Sequence, residues 1–214
     1  MISLLQYINE RVKDLPSSVK GLIVFDIDDT LLRVKKGSMN VYKKEPGKKE
    51  VMLTTDEFAK DPDASDPNKR NWFDYRDFRD PLKVYNSIIE GTPLIRNLRI
   101  MDDYIEAGYD FCFLTARSCE DIIKKALDTF LLHKDDTGAM RSLGDKFKKT
   151  LSHAINDDSK GYTGSTDAEK KANILKKLCK QYDKVVFVDD DRKNVSAARD
   201  LKIHNLKVIK AWSD

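Results

Sequence analysis

The sequence predicts an α/β fold: a mainly parallel sheet with helices on both faces, and one small irregular insertion after the first strand. Three observations carry that reading. Leu22-Ile23-Val24-Phe25 is an apolar run that ends in Asp26-Ile27-Asp28-Asp29-Thr30, the pattern of a strand buried on both faces that delivers carboxylates to its carboxyl end. From residue 92 onward, apolar runs of strand length alternate with stretches of helical period. Between these parts, residues 33–91 break into short alternations separated by Lys, Gly and Pro, too long for an ordinary connection in a compact domain.

The elements follow in order. Ile2, Leu5, Ile8, Val12 and Leu15 recur at helical spacing, so residues 1–20 hold a leading amphipathic helix ended by Pro16, packed on the core or offered to a partner. Gly21 releases the chain into the first strand. Within the insertion, residues 40–42 and 51–53 read as hairpin strands, followed by a polar run over 61–68. Trp72-Phe73-Asp74-Tyr75-Arg76-Asp77-Phe78-Arg79 then interleaves aromatics with charges. Such a segment either stacks on a nucleotide or a single-stranded nucleic-acid end, or anchors the insertion while its charges face water.

Helices are expected over 82–90 and 93–107, the second capped by Thr92, opened by Pro93 and closed by Gly108. Residues 109–114 form the second strand, 118–132 a helix and 151–155 a short third strand. Thr166-Asp167-Ala168-Glu169 starts another helix, 185–188 is a strand, 195–201 a helix and 206–209 the last strand. Strands alternating with helices imply crossover connections and parallel pairing. The chain reads as a single domain over 1–214, its core resuming at 92–214 after the 33–91 insertion.

Composition removes several classes. With 40% hydrophobic and 35% charged residues, the 214-residue chain is long enough for a real core and too polar for a membrane protein. No stretch approaches the ~20 apolar residues needed to cross a bilayer, and the first residues lack the apolar core of a signal peptide. A net charge of +3 permits a basic groove without arguing for one. Cys112, Cys119 and Cys179 are odd in number and form no CxxC pair, so neither a disulfide framework nor a zinc site is expected, and a reducing cytoplasm is the natural compartment.

Asp26 and Asp28 lie two positions apart, so an extended chain sends both to one side. Adjacent carboxylates repel unless a cation sits between them or one holds a proton, and a hard oxygen-seeking ion such as Mg²⁺ fits. DxD alone also suits an acidic turn with Thr30 capping a helix. The full pattern, an apolar strand followed by DxDxT, resembles the first motif of the haloacid dehalogenase (HAD) superfamily in its phosphatase branch.

Further segments match that family in order. Phe111-Cys112-Phe113-Leu114-Thr115-Ala116-Arg117 resembles its second strand, which ends in Ser or Thr, and Val188-Asp189-Asp190-Asp191 resembles its acidic fourth motif. The family places a lysine at the start of the helix before that motif; Lys170 and Lys171 both qualify, and Lys171, followed by Ala172-Asn173-Ile174-Leu175, is the better match. The resemblance implies a HAD-like Rossmannoid three-layer fold, the 33–91 insertion standing where many members carry a cap. It also implies a phosphatase working through an aspartyl phosphate. Asp26 would be the nucleophile and Asp28 the general acid and base; Thr115 and Lys171 would hold phosphoryl oxygens. Mg²⁺ would be bound by Asp26, Asp190 and the Asp28 carbonyl, with Asp189 as ligand or support. The family often has Asp where Asn194 stands.

Arg33, Lys35 and Lys36 beside the first motif, Arg117 after the second, and Arg76 and Arg79 in the aromatic segment favour a nucleotide or a phosphorylated nucleic-acid end as substrate, unless these are solvated surface charges. Sugar phosphates are the alternative small-molecule phosphomonoester. A binding module that holds phosphorylated ligands without turnover is the reading from a different class; both Asp26 and Asp28 argue against it.

Overall fold

The computed structural model describes residues 15–64, 66–133 and 151–212. The expected leading helix lies almost wholly outside the described residues. The central sheet has five strands in the order β10-β9-β1-β7-β8. They are β1 (Gly21–Phe25), β7 (Asp110–Thr115), β8 (Leu151–Ala154), β9 (Lys184–Asp189) and β10 (Leu206–Lys210), and every neighbouring pair is parallel.

Alternation along the strands builds two cores. Ile23 and Phe25, Phe111 and Phe113, and Val186 and Val188 pack into one apolar cluster. Leu22 and Val24, Cys112 and Leu114, and Val185 and Phe187 pack into the other. A sheet buried on both faces needs helices on both faces. Helices α3 (Pro81–Ile89), α4 (Ile95–Glu106) and α5 (Glu120–His133) supply the first, through Val84, Ile88, Leu98, Met101, Ile105, Ile123 and Leu127. Helices α6 (Asp167–Leu178) and α7 (Arg192–Asp200) supply the second, through Ile174, Leu175, Leu178 and Ala198. The three layers are thus the direct product of period-2 strands whose two faces are both apolar.

Between β1 and β7 the chain forms β2 (Leu32–Arg33), β3 (Asn40–Lys43), β4 (Val51–Thr54), α1 (Thr55–Lys60), a 3₁₀ turn (Pro67–Trp72), β5 (Phe73–Asp74), α2 (Arg76–Arg79), α3, β6 (Thr92–Pro93) and α4. Strands β4, β3 and β5 make a small antiparallel sheet. The aromatics expected to bind a base or to anchor the insertion stack edge to face on one another: Phe58 on Phe73 and Tyr75, and Tyr75 on Phe78. Phe78 also packs against the main core, whereas Tyr75 is exposed.

One local reading fails. Thr92 and Pro93 do not open a helix; they pair antiparallel with Arg33 and Leu32. Helix α4 begins only at Ile95, with Leu94 at its N-cap and no side chain capping it. Ladder pairing with β2 and the Leu94 N–H donated to the Leu31 carbonyl (3.0 Å) outcompete the local preference of a Thr-Pro start. Gly108 does end this segment in the left-handed region (φ 91°). Thr166 caps α6 by accepting from the Glu169 N–H. All three cysteines are free thiols. Among the described residues, no helix is long and apolar enough to cross a membrane.

Candidate active site

The sheet reverses direction of winding between β1 and β9, since β7 and β8 lie on one side of β1 and β9 and β10 on the other. Crevices at such switch points, beyond the carboxyl ends of the strands, are where open α/β sheets bind ligands. Asp26 follows β1, its N–H donating to the Val188 carbonyl at 3.0 Å; Asp189 ends β9 and Asp190 follows it. Carboxylate oxygens of Asp26, Asp189 and Asp190 lie within 4.8 Å of one another.

Lys171, in the second turn of α6, reaches into this cluster. Its Nζ donates to Asp26 Oδ1 at 2.8 Å and to Asp189 Oδ2 at 2.7 Å, and its side chain is 2% exposed. Lys170 points elsewhere, donating to Asn156 Oδ1. Burial works against the Lys171 charge, but the carboxylates of Asp26 and Asp189 outweigh it and hold the ammonium protonated. Burial pushes the Asp26 carboxyl well above the usual range; Lys171 opposes that, and repulsion from Asp189 and Asp28 adds to it. Asp190 is pushed up to about 6, by burial first and by Asp189 second.

Asp189 is saturated: Oδ1 accepts from the Asp191 N–H and from Asn194, and Oδ2 from Lys171 and Asn194. Asp190 is anchored by Thr30, whose hydroxyl donates to Asp190 Oδ1 (3.1 Å) and accepts from the Asp190 N–H (3.0 Å). Thr30 therefore caps no helix. The side-chain geometry leaves Asp26 Oδ2 and Asp190 Oδ2 without a hydrogen bond among the described residues. The donor set is all oxygen, and three carboxylates against one ammonium leave two negative charges uncompensated in a buried place. That chemistry fits a hard divalent cation.

Asp28 does not share this cluster. Strand β1 ends at Phe25 and the chain turns at once, Leu31 and Leu32 both donating to the Ile27 carbonyl and Asp29 adopting φ 52°. The two-residue alternation expected to align Asp26 with Asp28 is lost in that turn. The Asp28 carboxylate instead receives a two-pronged contact from Arg117, Nε to Oδ2 at 2.9 Å and Nη2 to Oδ1 at 2.7 Å. Thr115 ends β7, next to β1, and is 1% exposed; its hydroxyl accepts from the Arg117 N–H at 3.3 Å, leaving its own proton to donate.

A family profile for haloacid dehalogenase-like hydrolases matches residues 21–202, most of the chain. The protein belongs to that family. No curated protein sequence matches it. In this HAD-like hydrolase the remaining basic candidates stand apart from the acidic cluster in their contacts. Arg33 is exposed and lies 3.9 Å from Asp29; Lys35 pairs with Glu90 at 3.7 Å and Arg79 with Asp74 at 2.8 Å. Arg76 pairs with Glu50 and lies over the Tyr42 ring, 3.5 Å from its centroid.

Sequence reasoning missed Asn97. Wholly buried on α4, it donates to the Thr30 carbonyl (2.8 Å) and to the Trp212 carbonyl (3.0 Å), and accepts from the Trp212 N–H (3.1 Å). It ties the turn after β1 to the chain beyond β10. A signal was present: Asn97 is a lone amide on the apolar stripe formed by Leu94, Leu98, Met101 and Ile105.

Proposed function

We propose that this HAD-like hydrolase is an Mg²⁺-dependent phosphomonoesterase that carries the phosphoryl group on Asp26. The observation that supports it most is the setting of Asp26: one oxygen is pinned by Lys171 at 2.8 Å, and its carboxylate lies within 4.8 Å of carboxylate oxygens of Asp189 and Asp190 at the switch-point crevice. A pinned carboxylate with a free oxygen is an oriented nucleophile.

Asp26 attacks phosphorus in line, and the bond to the ester oxygen breaks as Asp28 gives that oxygen a proton. Water then attacks the acyl phosphate while Asp28 takes its proton back, and phosphate leaves with Asp26 restored. Lys171 and the Thr115 hydroxyl offset charge on the transferred oxygens. Asp26, Asp190 and the Asp28 carbonyl would hold the cation, which would supply positive charge between two anionic reactants, while Asp189 accepts from Lys171 and Asn194 behind them.

For substrate we propose a nucleotide or a phosphorylated nucleic-acid end. The exposed Tyr75 ring supports that reading. The acidic partners of Arg76, Arg79 and Lys35 reduce the charge available to a polyanion, and sugar phosphates remain the second reading on that ground. The test is phosphate release from 5′- and 3′-nucleotides, end-phosphorylated oligonucleotides and sugar phosphates, with Mg²⁺ or EDTA, beside Asp26→Asn. Metal-dependent release that vanishes in Asp26→Asn is the expected result. Binding of the same esters with no release by wild type overturns the hydrolase reading in favour of a binding module.

A further inference from the structure

Arg117 is among the most deeply buried large side chains of the protein, at 2% exposure, and it has no place in the reaction just described. A buried guanidinium cannot shed its proton, so it must be paired and hydrogen-bonded where it lies. Its fork grips both oxygens of Asp28, and its remaining terminal nitrogen, Nη1, donates to Ser87 Oγ at 2.7 Å and to the Val84 carbonyl at 3.3 Å. Ser87 in turn donates to the Val84 carbonyl at 2.8 Å, so the receiving end is itself fixed. Val84 and Ser87 are buried on α3, the last helix of the 33–91 insertion.

The backbone of Arg117 is held as firmly. Its N–H donates to Thr115 Oγ1 (3.3 Å) and its carbonyl accepts from the Asn156 N–H (3.2 Å), which sets the turn after β7 from both sides. Asp28, by contrast, sits in a turn, and its side chain is 39% exposed. Without a partner, such a side chain samples several rotamers. A planar two-point contact selects one, in a way that a lysine could not. Each carboxylate oxygen keeps a further lone pair, on which Asp28 can carry the proton it passes to the leaving oxygen and later takes back from water, while Arg117 grips it.

We propose that Arg117 is the positioning residue for Asp28, and that it ties the place of the acid to helix α3 through Ser87 and the Val84 carbonyl. This replaces the expectation that Arg117 binds substrate. The inference rests on the reading of Asp28 as proton donor to the leaving oxygen, and it makes a demand that a phosphate-binding arginine would not. A leaving group that departs without a proton should hardly notice the loss of Arg117, and one that needs a proton should notice it greatly.

The experiment compares wild type, Arg117→Lys, Arg117→Ala, Ser87→Ala and the Arg117→Ala/Asp28→Asn pair on p-nitrophenyl phosphate and on an alkyl phosphate, with crystal structures of wild type and the Arg117 and Ser87 variants. Expected for Arg117→Ala is a fall in kcat of about 100-fold or more on the alkyl ester, the scale of a lost proton donor, with KM nearly unchanged and a far smaller fall on the aryl ester. Arg117→Lys should recover little, Ser87→Ala should show the same selectivity in weaker form, and Asp28→Asn should add almost nothing to Arg117→Ala. An equal loss on both esters with a raised KM makes Arg117 a phosphate ligand and overturns the proposal. The structures decide the positioning claim even if wild type proves inactive or Arg117→Ala does not fold: Asp28 must leave its wild-type rotamer in Arg117→Lys and shift in Ser87→Ala, and an unmoved Asp28 in both refutes it.

Discussion

Two clusters of charge in this protein look alike in sequence and behave in opposite ways. In the insertion, Lys43 contacts Asp61 at 2.8 Å and Asp63 at 2.7 Å, and Lys69 also reaches Asp63, with Lys48, Glu45 and Asp66 at the margin. At the sheet, one lysine faces Asp26, Asp189 and Asp190. The insertion cluster is nearly balanced and less deeply buried, with Lys43 11%, Asp63 19% and Lys69 33% exposed. Its lysines, through their hydrogen bonds, hold the Asp63 carboxyl below the usual range. The sheet cluster has more carboxylates than ammonium groups and is more deeply buried, so burial pushes Asp26 and Asp190 up instead. Number of ion pairs therefore says little about function; a buried surplus of one sign says a good deal.

The sharpest way to break this contrast is Asp26→Asn. It keeps an oxygen for Lys171 and removes one of the surplus charges, so phosphate release should fall by more than about 10⁴-fold while the unfolding midpoint in EDTA does not drop. A protein that loses stability together with activity would show that Asp26 serves the fold. Next in size is Lys171→Met, which strands two buried carboxylates and should cost about 3–5 kcal/mol in urea unfolding with EDTA present. Added Mg²⁺ should return part of that loss, because a cation binding only the folded form stabilises it by mass action. Lys43→Met is the matched change in the insertion: the expected destabilisation is smaller and insensitive to Mg²⁺, and equal behaviour of the two variants would remove the distinction drawn above.

The smallest effect concerns His153, whose Nδ1 lies 2.9 Å from the Tyr162 hydroxyl, itself a donor to Glu120. Burial lowers its pKa below the ordinary 6.5; Glu120 opposes this, and Lys177 and Lys160 assist. The unfolded chain then binds more protons than the native one between the lowered pKa and 6.5, so stability is full above 6.5 and falls as the pH drops through that window. Urea midpoints of wild type and His153→Gln measured from pH 8 to pH 5 should converge toward acid. Parallel curves would remove His153 as the cause.

Much of the site was legible in the chain. Runs such as Leu22-Ile23-Val24-Phe25 and Lys184-Val185-Val186-Phe187-Val188 announce strands buried on both faces, and each delivers its carboxylates at the carboxyl end. The choice of Lys171 over Lys170 followed from the resemblance of Lys171-Ala172-Asn173-Ile174-Leu175 to the family's lysine helix, and it sends Lys170 another way because adjacent helical positions point about 100° apart. What escaped was decided by partners far along the chain. Thr30 reads locally as a cap and meets Asp190, 160 positions away; Arg117, expected on the substrate side, meets Asp28, 89 positions away. Thr92-Pro93 reads as a helix start and joins β2.

By itself, then, the sequence determined the layered α/β architecture, the strands that carry Asp26, Thr115 and Asp189–Asp190, and the lysine helix, because hydrophobic period and capping act within a few residues. Tertiary structure alone decided that Asp28 leaves the carboxylate cluster for Arg117, that Asn97 joins the turn after β1 to Trp212, and that Arg76 and Arg79 turn to Glu50 and Asp74. Those pairings are settled by which polar groups must be satisfied once the sheet is buried, and no local pattern records that condition.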